Sequence, residues 1–237
     1  MKIAIIGAGW YGCHIGLSLK NKGVEIDIYE EESQIFTKAS SNNQNRLHLG
    51  YHYPRSYKTR SQARIGYSKF YSQYNKMCIE VKNNIYAVDN KRSLLDFETY
   101  KCIMSCSKLP VDKAIPLDLV DKFSNLSGFI STNEKLIDFN MVKDYFNNQL
   151  EEDLIFDTKI KNIKEVEGAI IVNECEYDYV VDCTWGAFGG FYKDKVYFEP
   201  CITYLYKKST SDDFALTIMD GDFISLYPYK DDIYSLT

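Results

Sequence analysis

The chain holds 237 residues, 45% of them hydrophobic and 26% charged, with a formal net charge of −5. This composition is that of a globular protein and excludes disordered, collagen-like and low-complexity classes. No apolar run reaches the ~20 residues of a membrane span, and glycines 7, 9 and 12 break the opening segment as a signal peptide would not.

Residues 2–6 read as a buried strand ending at Gly7, and residues 10–22 as a helix stopped by Asn21-Lys22-Gly23. Residues 24–30 read as a second strand, which makes a parallel strand–helix–strand unit. Residues 33–55 form a long polar loop, and loops of that length tend to be functional. A helix is predicted over 57–75, with Ala63, Tyr67, Phe70, Tyr71 and Tyr74 at helical spacing. A strand over 79–88, a helix over 93–108 and a strand over 126–132 follow. Asp138 caps a helix that runs to about residue 152. Short strands are expected near 154–157, 159–166, 169–173 and 177–183. After a loop at 184–194 come strands at 196–208, 214–219, 223–229 and 232–236. The sum is an α/β fold with α+β elements: a Rossmann-like layer interleaved with an antiparallel β layer.

Cysteine and histidine usage bounds the chemistry. Seven cysteines at irregular spacings and three histidines, at 14, 48 and 52, offer no four-ligand metal set, so no metal is expected. Scattered reduced thiols favour a cytoplasmic setting.

The net charge hides an asymmetry. Residues 33–79 contain no Asp or Glu and eight basic residues, and four of the five arginines of the chain (Arg46, Arg55, Arg60 and Arg64) fall between 46 and 64. Guanidinium forks suit carboxylates and phosphates, so an anionic small-molecule substrate is the expected partner. Tyrosines interleave this block as in single-strand binders, but the chain is acidic and carries no recognition motif. Neither nucleic acid nor membrane is expected as a partner.

Gly7-Ala-Gly9-Trp10-Tyr11-Gly12 fits the dinucleotide fingerprint. A strand precedes it, a helix follows, and Glu30 ends the next strand. Gly7 permits the tight turn, Gly9 lets a pyrophosphate approach the backbone, and Gly12 lets helix and strand pack closely. The helix N-terminus offers free N–H groups to the pyrophosphate. Glu30 accepts from ribose hydroxyls and disfavours a 2′-phosphate.

These residues, with Gly16 and the loop Ser40-Ser41-Asn42-Asn43-Gln44-Asn45-Arg46-Leu47-His48-Leu49-Gly50-Tyr51-His52-Tyr53, resemble the FAD-dependent oxidoreductases of the D-amino-acid oxidase family. Leu154–Ile160 resembles the strand that receives the adenine. The run 177–186, with Thr184 and Trp185, resembles the segment beside the adenosine half, although Cys183 replaces the usual Ala and Trp185 displaces the Gly. The resemblance implies FAD as cofactor, held by Gly7, Gly9, Trp10, Tyr11, Gly12, Glu30, Ser41, Asn45, Arg46, Ile160, Thr184 and Trp185. It implies an FAD-binding domain of residues 1–50 and 138–194, and a substrate or cap domain of residues 51–137 and 195–237. The implied reaction is oxidation of a C–N or C–OH bond next to a carboxylate. Arg46 would anchor the carboxylate, and His48 or His52 would orient the substrate or accept a proton. Two other readings stay open: a flavin enzyme without net oxidation, such as a sugar mutase, and a non-catalytic dinucleotide-binding module. The family's closing C-terminal flavin segment has no counterpart in these residues. The expectation is therefore a fragment that holds the adenosine and pyrophosphate end of FAD with negligible turnover.

Overall fold

The computed structural model describes residues 1–186, 200–209, 213–221, 223–230 and 232–237. They divide into two compact units: Met1–Asn43 with Phe139–Phe198, and Gln44–Asp138 with Glu199–Thr237. Residues 44–50, including Arg46 and His48, thus lie in the second unit.

The first unit is built on a four-stranded parallel sheet. Lys2–Ile6 is flanked by Tyr179–Asp182 and Glu25–Tyr29, and Leu154–Ile155 pairs beyond the latter. Lys2–Ile6 is almost wholly buried, as expected of a central parallel strand covered on both faces. The helix Trp10–Lys20 makes the crossover to Glu25–Tyr29. It packs close because Gly16 faces Ile28: a Cβ there would lie 2.6 Å from Ile28 Cδ1. The helix Phe139–Leu150 buries Val142, Phe146 and Leu150. Trp10 meets Phe36 and Phe146 edge-on at 5.4 and 5.7 Å. A small antiparallel sheet of Ile163–Val166, Ala169–Val172 and Cys175–Tyr177 completes the unit.

The second unit carries a six-stranded sheet in the order Tyr204–Lys207, Ile233–Leu236, Ser225–Lys230, Ala215–Met219, Asn84–Asp89 and Leu126–Ser131. It is antiparallel except where Asn84–Asp89 runs parallel to Ala215–Met219. A second sheet joins Arg46–Leu47, Lys135–Ile137 and Cys78–Glu80. The single strand predicted over 79–88 is two. Asn83 adopts a left-handed φ of +49° and sends Cys78–Glu80 and Asn84–Asp89 into different sheets. The helix Tyr57–Tyr74 is present, but its aromatic row is not a core face. Its buried residues are Arg60 and Tyr74, while Tyr57 and Tyr71 are exposed. The strand expected over 196–208 falls partly outside the described residues; within them it is Tyr204–Lys207.

Candidate functional site

Three parallel strands of the first unit end at one cavity of about 500 Å³. Ile6-Gly7, Tyr29-Glu30 and Cys183-Thr184 line it, as do Ser40, Lys159 and Ile160. Carboxyl ends of parallel strands are where ligands bind in open α/β sheets. The turn into the helix needs its glycines. Gly7 has φ +101°, and a Cβ on Gly12 would lie 1.8 Å from the Gly7 carbonyl oxygen. Gly9 is the helix N-cap and supplies no side-chain acceptor, and no acidic residue occupies the first turn. The Trp10 N–H is instead met by the Ser40 hydroxyl at 3.0 Å. That hydroxyl would lie 2.9 Å from a Cβ on Gly9, so a displaceable side chain stands where backbone donors face the cavity.

Glu30 is buried, with its carboxylate accepting from the Ala8 N–H at 2.7 Å and the Glu32 N–H at 3.1 Å. Charge around the rim is mixed: Glu31 pairs with Lys38 and Lys159. The Trp10 ring is spent on the core, and Tyr11 is exposed on the first turn of the helix. Thr184 turns its hydroxyl to Asp182 Oδ1 at 2.6 Å. Trp185 is exposed, with a left-handed φ of +59°. Ser41 bonds back to the Lys38 carbonyl. Sequence reasoning named Ser41 and missed its neighbour Ser40, because two adjacent serines give no clue to which one faces the helix.

The remaining predicted residues gather in the second unit. Asn45 is buried with φ +50°, and its carbonyl accepts from the Ile137 N–H at 2.8 Å. Arg46 is only 3% exposed. Its Nη1 donates to Ser225 Oγ and its Nη2 to Tyr86 Oη, each at 2.7 Å. Glu134 Oε2 lies 3.4 Å from the same Nη2, and the guanidinium rests 4.1 Å from the Tyr227 ring centroid. Of the guanidinium nitrogens, Nε is buried without a hydrogen-bond partner among the described residues.

Glu134 itself has no exposed side-chain surface. Burial alone would raise its pKa, but His48, Arg46 and the Tyr86 hydroxyl hold it down to about 2. Nothing in the residue pattern marks it: a single acid in a polar loop, 88 residues from Arg46. The other arginines of the basic block are likewise engaged internally. Arg55 pairs with Asp220, while Arg60 and Arg64 reach the carbonyls of Tyr53, Pro54 and Ser107 and the Ser107 hydroxyl. Ser107 caps the helix Phe97–Cys106, so these two cations also meet the negative end of a helix dipole.

His48 and His52 lie side by side with ring centroids 5.5 Å apart. No strand places them; Gly50, at φ +117°, turns the chain between them. His52 stacks on Phe223 at 5.2 Å. Its burial, with His48 and Arg46 nearby, lowers its pKa to about 4. A depressed histidine pKa stabilises the fold above the unfolded value of 6.5, and that contribution is lost as pH falls through about 4. Up to about 3 kcal/mol should disappear across that window. His52→Phe, which cannot titrate, should flatten the acid limb of a stability–pH curve.

Comparison with known proteins agrees with this geometry. Residues 5–65 match the NAD(P)-binding Rossmann-like domain family. A protein of Fusarium mangiferae named FAD-dependent monooxygenase FPY4 is 34% identical over 226 residues, covering 95% of this chain and 60% of its own length. The FAD-dependent monooxygenase kojA of Aspergillus flavus is 39% identical over 87 residues, 37% of this chain and 20% of its own length. The chain thus spans about 60% of the length of the Fusarium relative. Among solved structures, glycine oxidase from Bacillus cereus superposes with a TM-score of 0.71 at 16% identity, over 99% of this chain and 70% of the other. L-α-glycerophosphate oxidase from Mycoplasma pneumoniae, solved with FAD bound, superposes with a TM-score of 0.72 at 14% identity, again over 99% and 70%. The chain therefore has the fold of the FAD-dependent oxidoreductases, built around a Rossmann-like dinucleotide-binding unit.

Proposed function

We propose that the chain is the FAD-binding part of an FAD-dependent oxidoreductase that oxidises a C–N or C–OH bond next to a carboxylate. The observation that carries the cofactor is the helix N-terminus beside Gly7, Gly9 and Glu30 at the end of the parallel sheet, where the displaceable Ser40 hydroxyl meets the Trp10 N–H. Gly9 and the Trp10 N–H would hold the pyrophosphate once Ser40 rotates away, and Glu30 the adenosine ribose. Ile160 and Thr184 line the same cavity. Bound FAD would supply two-electron acceptance, which no side chain of the protein provides. The second unit supplies the candidate polar groups His48 and His52. Arg46, buried among Glu134, Tyr86 and Ser225, suits a role in holding that cluster better than direct contact with substrate. Seven free cysteines support a reducing, cytoplasmic setting; among the described residues no helix is long and apolar enough to cross a membrane.

The name of the Fusarium relative favours a second reading, insertion of an oxygen atom. Isotopic dioxygen separates the two on the complete protein. An oxidase releases hydrogen peroxide and unlabelled product; a monooxygenase places one labelled oxygen in the product. For the cofactor, Glu30→Ala should weaken FAD by about 1.5–3 kcal/mol, the scale of a hydrogen bond to a charged group. That is roughly 10- to 150-fold in Kd, read by quenching of flavin fluorescence. Unchanged affinity would remove Glu30 from the site.

A further inference from the structure

We propose that Glu134 and His48 form a carboxylate–histidine pair, in which Glu134 holds the imidazole as the Nδ1–H tautomer and leaves Nε2 as a proton acceptor for substrate. The substrate half of this inference rests on the function proposed above; the tautomer does not.

Glu134 is fixed on every side. Its Oε1 accepts from the Leu49 N–H at 2.7 Å, the residue next to His48. Its Oε2 accepts from the Tyr86 hydroxyl at 2.7 Å and faces Arg46 Nη2 at 3.4 Å. Tyr86 is fully buried, and that burial pushes its phenol up, so it stays a donor. His48 Nδ1 lies 3.6 Å from the same Oε2. That distance is longer than a formed hydrogen bond, as is common in ligand-free sites. An ionised carboxylate accepts and never donates, so only a protonated Nδ1 satisfies both atoms. Nδ1 is buried and has no other hydrogen-bond partner among the described residues. The His48 side chain is nonetheless 30% exposed, which leaves the Nε2 edge as its accessible side.

The charged and titratable groups around the ring are Glu134, Arg46, His52 and Tyr53. A proton gained at Nε2 makes an imidazolium whose Nδ1 faces the Glu134 carboxylate, an anion that it shares with Arg46. In the step proposed, the substrate O–H or N–H bond breaks. Its proton passes to Nε2, and the bonding pair stays on the substrate heteroatom. Glu134 is the positioning residue and takes no proton. His52 is the internal contrast: its buried Nδ1 also lacks a hydrogen-bond partner among the described residues, and no carboxylate pairs with it there as Glu134 faces His48.

The test is a long-range proton–nitrogen correlation spectrum of the histidine-labelled chain, without cofactor, at a pH where the rings are neutral. There are three histidines to assign, and His48→Gln identifies the signal. The expected result is His48 as the Nδ1–H tautomer, with a pyridine-type Nε2. Glu134→Gln can donate to Nδ1, so it should shift His48 to the Nε2–H form, and Glu134→Asp should retain the wild-type form. A wild-type His48 found mainly as Nε2–H overturns the proposal, even if Glu134→Gln fails to fold. So does a folded Glu134→Gln protein with the tautomer unchanged. Flavin binding, read separately by fluorescence, reports on the cofactor assignment and cannot mimic either outcome.

Discussion

Glu134→Gln is expected to cost the second unit about 3–5 kcal/mol, because it leaves the Arg46 guanidinium buried with no opposing charge. For a chain of this size that is a fall of roughly 6–20 °C in Tm. Arg46→Met should cost a similar amount by stranding Glu134. The double variant Arg46→Met/Glu134→Leu should regain most of the loss, since a buried pair replaced whole by apolar groups is often neutral. A double-mutant cycle measures the coupling directly. A Glu134→Gln protein that melts within a degree or two of wild type would refute the idea that this pair organises the unit. Acid should reproduce the effect. Glu134 titrates at about 2 in the fold against an ordinary 4.5. Its contribution is therefore complete above pH 4.5 and is lost as pH falls toward 2, worth about 3 kcal/mol.

Gly12→Ala is the second large effect. The new Cβ would stand 1.8 Å from the Gly7 carbonyl oxygen, and backbone cannot rotate out of the way as a side chain can. The turn must open, at about 1–3 kcal/mol or more for overpacking, and the pyrophosphate cradle opens with it. FAD binding should be lost together with several degrees of Tm. Gly9→Ala makes a useful contrast. Its Cβ meets only the Ser40 hydroxyl at 2.9 Å, which can swing aside. That protein should keep its Tm and lose affinity alone. Equal melting of the two variants would contradict this account of the loop.

The first unit was legible because its signals are local. Gly7, Gly9, Gly12 and Glu30 lie in one strand–helix–strand stretch, where spacing alone fixes geometry. The candidate site of the second unit was only half legible. Arg46, His48 and His52 stood out by residue type, but the reasons for their proximity did not. A turn at Gly50, and not the alternation of a strand, sets His48 and His52 side by side. Glu134 joins them through the pairing of Arg46–Leu47 with Lys135–Ile137, a long-range event with no sequence spacing to reveal it. The arginine block was legible as a charge cluster but not in its pairing: each guanidinium finds an internal acceptor that lies far off in sequence or on the main chain. Helical spacing likewise marked the aromatic row of Tyr57–Tyr74, but spacing does not say whether a face meets a core.

The first unit is expected to hold FAD in the cavity at the end of its parallel sheet. The most direct measurement is a titration of the 237-residue chain with FAD, NAD and NADP in parallel, followed by calorimetry and by flavin fluorescence. The expected result is saturable binding of FAD that Gly9→Val and Glu30→Ala each weaken at least tenfold, and no binding of NADP, whose 2′-phosphate Glu30 repels. Tight binding of NAD or NADP with none of FAD, or FAD binding indifferent to both substitutions, would contradict it.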